Sequence, residues 1–310
     1  MRPAVSLEAA IVARRYYIDG MQKREIGDEL GLSRFKVARL LDDALASGIV
    51  RIYVDMPADI DLPLGEELAR AYGISRALVV RTVPSAPEST GSLIGTAGAD
   101  YLRSILDGRD VLGMSWGASL TSVVNAVTEL RPVDIVQMVG GVRAAGLDVS
   151  GSELVRRLTA KSGGRAFPLH APLLVRSART AAALRSDPSL SDTIARFADV
   201  TVALVGIGSW NPPRSSLHQE VTEPERAALR RAGAEADICG LVLDADGSPV
   251  ESELNSRTIG ITLEELRKVP TVLAVASGAD KAGAIAAALR SSLVSVLVTD
   301  SDAAAALLDR

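Results

Sequence analysis

Four short runs of glycine and small hydroxyl residues are where side-chain and backbone chemistry could converge in this chain. They are Gly113-Met114-Ser115-Trp116-Gly117-Ala118-Ser119, Gly140-Gly141, Gly206-Ile207-Gly208-Ser209 and Ser277-Gly278-Ala279-Asp280-Lys281. Each follows an apolar, strand-like run, and the first and last open a helical one. Backbone N–H groups at a helix start carry partial positive charge, so with nearby hydroxyls they can cradle an anion. One glycine turn between strand and helix is ordinary chain geometry; four at strand ends suggest a pocket for a small, phosphorylated, hydroxyl-rich molecule. Lys281 adds a fixed positive charge, read first as a phosphate contact, with a Schiff-base amine or a plain surface lysine as alternatives. Trp116 is read as core packing or as a ring facing a sugar.

The same residues admit an enzymatic reading. Asp237, Asn255 and Lys281 could supply acid, amide and amine to a sugar phosphate, as in an isomerase or aldol-type site. Against it, the chain has no Walker A loop and no paired-carboxylate motif. His170, within Pro168-Leu169-His170-Ala171-Pro172, reads as structural or pocket-lining rather than as an acid or base. With Cys239 as the single cysteine and only His170 and His218 as histidines, neither an internal disulfide nor a zinc site of ordinary spacing is expected. No cofactor is implied.

A second constellation lies near the start of the sequence. Ile26 and Leu30 put an apolar stripe on a short helix, Gly31 stops it, and Ser33 caps the next one. In that helix Val37, Leu40, Leu41 and Ala44 recur at i, i+3, i+4 and i+7, which predicts a buried face. Phe35, Lys36 and Arg39 fall on the outward side, and from Ser33 to Leu41 the charged residues are Arg34, Lys36 and Arg39 alone. A one-signed outward face after a tight Gly-Leu-Ser turn is the pattern of a helix-turn-helix that meets phosphates and base edges of double-stranded DNA. Phe35 is read as packing against a neighbouring loop or as touching a thymine methyl. Gly48 stops the helix, and Ile49–Val54 predicts a β-wing carrying Arg51. Residues 6–19, with Leu7, Ala10, Ile11 and Ile18 in phase, predict a supporting first helix, and Gly27 implies close helix packing.

The elements that must hold these residues alternate in type. Residues 1–55 form the expected winged helix-turn-helix, 56–63 a linker broken by prolines and aspartates, and 64–310 a larger domain. In that domain strands are predicted at 77–81, 110–114, 134–139, 200–205, 240–243, 271–275 and 293–298. Helices are predicted at 64–72, 92–106, 118–129, 152–161, 223–231, 281–289 and 302–308. Such alternation predicts a doubly wound α/β fold with a mostly parallel sheet, whose ligands bind at the carboxyl ends of strands. The net charge of −4 is unevenly spread, +1 over residues 1–55 and −5 over the rest, so DNA contact is expected in the first segment only. With no long apolar run and no signal-peptide core, no membrane contact is expected and the chain is read as cytoplasmic.

Taken together, residues 13–52, GMSWGASL at 113–120, VGG at 139–141, LVGIGS at 204–209, ADICG at 236–240, LNSRTIGIT at 254–262 and ASGADKAGAIAAALR at 276–290 resemble the SorC family of bacterial sugar-responsive transcriptional regulators. This group includes the central glycolytic gene regulator and the deoxyribonucleoside regulator. The resemblance implies an effector domain similar to ribose-phosphate isomerase and glucosamine-phosphate deaminase folds, binding a phosphorylated sugar without turnover, in a homotetramer on operator DNA. It implies a phosphate cradle of Ser115 to Ser119 with Ser277, Gly278 and Lys281, and sugar contacts at Gly140, Gly141, Asp237 and Asn255. Val139 stands where the glycolytic regulator has an arginine, which favours a monophosphate over a bisphosphate. The covalent lysine of the deoxyribonucleoside regulator has no counterpart near Gly141, where Arg143 is the nearest base.

Overall fold

The computed structural model describes residues 7–52, 59–82, 87–142 and 149–310. The chain divides into two compact units, Met1–Ala58 and Asp59–Arg310.

Among its described residues the first unit packs three helices: α1 (Leu7–Tyr17), α2 (Lys23–Leu30) and α3 (Arg34–Ala46). A capping box starts α2, with the Gln22 N–H donating to Glu25 Oε2 at 2.7 Å. Gly31, at φ 66°, ends it, and Ser33 Oγ accepts the Lys36 N–H at 3.2 Å to begin α3. Gly27 is buried where the turn folds back, since a Cβ there would lie 2.6 Å from the Leu32 carbonyl oxygen. The core joins Ile26 to Val37, Leu40, Leu41 and Ala44, as the spacing predicts. The phase of α1 differs from expectation. Ala9, Val12 and Ala13 are its buried residues, while Leu7 and Ile18 are 74% and 77% exposed. The two alanines let the α1 backbone approach α3 closely, so fit decides the face over side-chain size.

The predicted wing is not seen where it is described. Ile49–Ile52 is not a strand, and the Val50 N–H instead closes on the Ala44 carbonyl at 2.9 Å. β-rich residues need a partner strand to form a ladder, and the described part of this unit contains none. Tyr53 and Val54 lie outside the described residues.

The second unit runs through α4 (Leu62–Tyr72), β1 (Arg76–Val80), α5 (Pro87–Ile105), β2 (Val111–Met114), α6 (Ala118–Ala126), β3 (Asp134–Gln137), α7 (Gly151–Ser162) and β4 (Ala166–Phe167). It continues with α8 (Ala178–Arg185), α9 (Pro188–Ala195), β5 (Val202–Gly206), β6 (Gly208–Ser209), α10 (Ser216–Glu220), α11 (Glu223–Arg231), β7 (Ala234–Ile238) and β8 (Leu241–Asp244). It closes with α12 (Glu253–Arg257), α13 (Leu263–Leu266), β9 (Thr271–Val275), α14 (Ala282–Arg290), β10 (Val296–Asp300) and α15 (Ser301–Leu308). Among the described residues seven parallel strands form one sheet in the order β1-β10-β9-β5-β2-β3-β4, and β6, β7 and β8 form a small antiparallel sheet. Helices α5, α6 and α7 bury Leu102, Val123 and Leu158 against one face of the large sheet, and α14 lies in the core on the other. With both faces covered, the strands are apolar throughout, as in Val202–Val205.

The C-terminal half of the predicted linker belongs to this unit. The Asp61 N–H donates to the Val79 carbonyl at 2.8 Å, the Arg81 N–H to the Asp59 carbonyl at 2.7 Å, and Asp61 caps α4. The sequence reading also passed over α8, α9 and β7.

Strand order places the functional crevice. From β2 the chain moves on to β3 on one side, whereas β5, on the other side of β2, leads to β9. The two outgoing connections diverge and leave a gap at the carboxyl ends of β2 and β5, the switch point of an open α/β sheet.

Candidate functional site

A cavity of about 270 Å³ occupies that gap. Ser115–Gly117 enter it from the loop that follows β2, Ala118–Leu120 from the first turn of α6, and Gly206, Ile207 and Gly208 from the end of β5. Asp237, Cys239 and Gly240 come from the β7–β8 hairpin, Arg214, Ser216 and Gln219 from around α10, Lys281 from the turn before α14, and Val139 from after β3.

Backbone geometry fixes these positions. The Ser115 N–H donates to the Leu204 carbonyl at 3.1 Å, tying the β2 loop to β5. Gly117 precedes α6 at φ 142° and supplies no side-chain cap, so the first-turn N–H groups of α6 are not taken by a capping side chain. The hairpin turns on Cys239 and Gly240, both at positive φ (54° and 80°), as a two-residue turn between twisted strands requires. Trp116 donates its Nε1 proton to the Gly140 carbonyl at 2.9 Å and so braces the paired glycines from inside the pocket.

Asp237 is the buried charge of the site. Its Oδ1 accepts from Trp210 Nε1 at 3.0 Å, and Ser215 also hydrogen-bonds the carboxyl. Burial raises its pKa from 3.8 to about 6, while the bonds from Ser215 and Trp210 and the charge of Lys281 pull it back down. Gly208 pairs with Asp237 across β6 and β7, and a side chain there would overlap the carboxylate. Lys281 donates to the Ile207 carbonyl at 3.4 Å. Burial lowers its ammonium pKa, opposed by Asp237 and Asp280. Arg214 pairs with Asp280 at 2.9 Å. Burial, then Asp237, pushes the Cys239 thiol up to about 12, which keeps it protonated and poorly nucleophilic. An uncapped helix start, three serine hydroxyls, an ammonium and one acceptor carboxyl can together bind an anion and a set of hydroxyls.

In the first unit, Arg34, Phe35, Lys36 and Arg39 are exposed on α3, and Arg51 is exposed after it. Lys36 Nζ pairs with Glu8 Oε1 at 3.1 Å. Neither Arg34 nor Arg39 forms an ion pair among the described residues.

Residues 58–309 match the profile of the Sugar-bind family, a sugar-binding domain. The chain is 34% identical over 306 residues to the transcriptional regulator LsrR of Klebsiella pneumoniae, covering 96% of this chain and 92% of that one. It is 31% identical over 309 residues to LsrR of Escherichia coli K12, covering 97% and 94%. Its fold matches the crystal structure of the full-length sorbitol operon regulator SorC from Klebsiella pneumoniae, with TM-score 0.77, 25% identity and 97% coverage of both chains. The chain belongs to the SorC family. It is a sugar-responsive, DNA-binding transcriptional regulator with a mostly parallel α/β effector domain.

Within this SorC-family chain the structure sorts the residues singled out from sequence. Ser115, Trp116, Gly117, Ser119, Gly208, Asp237 and Lys281 converge on the one cavity. Gly113 does not line it. That residue lies within β2, where a side chain would strike Met138 and Val200. Gly140 and Gly141 are also outside the lining, and their N–H groups are spent on the Ile259 and Ala171 carbonyls at 2.9 and 2.8 Å. The Ser277-Gly278 turn is held by the sheet, the Gly278 N–H donating to Asp300 Oδ2 at 2.6 Å. Asn255 lines a different crevice with Arg185 and Thr258, and its amide donates to the Val250 carbonyl at 3.2 Å. His170 is exposed and outside the pocket.

Arg214, Ser216, Gln219 and Cys239 were missed. The first three sit in a stretch with no strand or helix periodicity long enough to read, so their only signal is a polar cluster soon after Gly208-Ser209-Trp210. Cys239 lies inside the ADICG motif that already marked Asp237. Among the described residues no helix is long and apolar enough to cross a membrane.

Proposed function

We propose that the cavity between β2 and β5 binds a phosphorylated sugar or polyol, and that its occupancy sets the affinity of α3 for operator DNA. One observation carries the reading: the uncapped start of α6, Ser115, Ser119 and Lys281 surround a single cavity at the switch point of the sheet. A phosphate seated on the α6 amides is countered by Lys281, while Asp237, Ser216 and Gln219 meet hydroxyls. Effector control follows by linkage, because a ligand shifts operator affinity only if it favours one subunit arrangement over another.

The near-neutral first segment supports several copies acting together on one operator, as in a homotetramer, since one module gains little from charge alone. Arg34, Phe35, Lys36 and Arg39 form the DNA face, with Ser33 as its cap and Arg51 beside it. The chain binds its effector in the cytoplasm without turning it over and without a cofactor, in keeping with relatives that are transcriptional regulators.

A thermal-shift screen of the full chain against matched phosphorylated and unphosphorylated pentoses, hexoses and polyols tests this. A phosphorylated compound is expected to stabilise the fold by RT ln(1 + [L]/Kd) and to be recovered unchanged. Stabilisation by unphosphorylated sugars alone overturns the phosphate assignment, and conversion of the compound overturns the non-catalytic one.

A further inference from the structure

Phe35 is 86% exposed on the second residue of α3. The other two phenylalanines are held by packing: Phe197 is buried, and Phe167 lies beneath the guanidinium groups of Arg165 and Arg196. An exposed ring forgoes the stabilisation that burial gives, and the core of the first unit closes without it. At about 100° per residue, Phe35 stands opposite the buried Ala44, in the middle of the outward face, with Arg39 one turn further on and about 40° to the side. Arg34 and Arg39 are the cations of this face without an ion pair among the described residues, whereas Asp42 and Asp43 are exposed toward the other end of the helix. The N-terminal half of α3 is therefore the half that approaches a polyanion, and its centre is apolar.

A ring at the centre of the outward face of a helix seated in the major groove meets base edges, because phosphates lie to either side. The one apolar group on the major-groove edge is the 5-methyl of thymine. We propose that Phe35 reads a thymine methyl in the stretch of major groove that the N-terminal half of α3 faces. The assignment rests on the reading of α3 as the DNA-reading helix.

Selection of sites from a random duplex pool with the full chain, followed by replacement of each selected thymine by deoxyuridine, tests the contact by removing the methyl alone. One uracil position per half-site should weaken wild-type binding about fourfold, the worth of one buried methyl group. Phe35→Ala should bind the thymine site more weakly by at least that factor and be indifferent to uracil there, while Phe35→Leu keeps part of the sensitivity. Since the ring packs on nothing in the core, both variants should unfold at the wild-type temperature. Uracil sensitivity equal in wild type and Phe35→Ala, or absent at every position, overturns the contact. Failure to enrich any site overturns the DNA-reading assignment of α3 and this inference with it. A changed sedimentation of free Phe35→Ala, with uracil sensitivity intact, moves the ring to a protein contact and overturns it as well.

Discussion

Trp210 donates its indole proton to Asp237 Oδ1 at 3.0 Å, and both side chains are buried, at 3% and 5% exposure. The bond fixes the carboxyl at the floor of the effector pocket without cancelling the cost of burying its charge, so its pKa remains at about 6. In the folded chain Asp237 therefore holds its proton across an interval, from about 4 to about 6, in which the unfolded chain has lost it. Its contribution to stability is greatest below that interval, falls as pH rises through it, and is constant above. The full fall is roughly 3 kcal/mol. Asp237→Asn keeps an acceptor for Trp210 and removes the titration. Urea unfolding should give equal stabilities near pH 4 and a more stable variant at pH 7. A difference between the two proteins that does not change from pH 4 to pH 7 would refute the assignment.

Lys281 is expected to act on the effector and not on the operator. Its ammonium stands over the Ile207 carbonyl beside Asp237 and lines the cavity. Loss of a charge-assisted hydrogen bond to a phosphate costs about 1.5–3 kcal/mol, a tenfold to hundredfold weaker effector. Lys281→Ala should show that loss in a thermal-shift titration while binding effector-free operator as the wild type does. Effector affinity that is unchanged would remove Lys281 from the anion site.

Periodicity carried most of the fold into view. Long buried strands such as Val202–Gly206 and helices such as Ala282–Arg290 announce themselves by continuous apolar runs, and their alternation sets a parallel sheet. What escaped are pieces whose state depends on partners distant in sequence. β7 reads as a polar stretch, AEADI, until β6 and β8 lie beside it. The site behaves the same way: Ser115 and Lys281 were legible as strand-end residues and Asp237 through the ADICG stretch, whereas Asn255 shared a motif-bearing stretch and not the pocket. In α1 the sequence favoured the larger residues, Leu7 and Ile11, and packing chose Ala9 and Ala13.

Gly27→Ala should destabilise the first unit although alanine is the better helix former by about 1 kcal/mol. The new Cβ would stand 2.6 Å from the Leu32 carbonyl oxygen, which belongs to backbone that cannot swing aside. Overpacking of this kind costs about 1–3 kcal/mol. Thermal unfolding should show loss of the first unit at lower temperature, with operator binding weakened in parallel. A variant as stable as the wild type would mean that the turn relaxes freely.

Arg34 and Arg39 are expected to carry the salt dependence of operator binding, and Lys36 much less of it. Lys36 is engaged with Glu8 at 3.1 Å, so moving it to a phosphate gives up one ion pair for another. Arg34 and Arg39 have no such pair among the described residues to surrender. Each phosphate contact contributes about 0.9 to the slope of log K against log salt. The double variant Arg34→Ala, Arg39→Ala should therefore weaken binding and flatten that slope by up to about 2 per α3 engaged. Lys36→Ala should flatten it by well under half as much. Fluorescence anisotropy on a selected operator duplex across a salt series measures both, and a wild-type slope in the double variant would show that α3 does not face the phosphates.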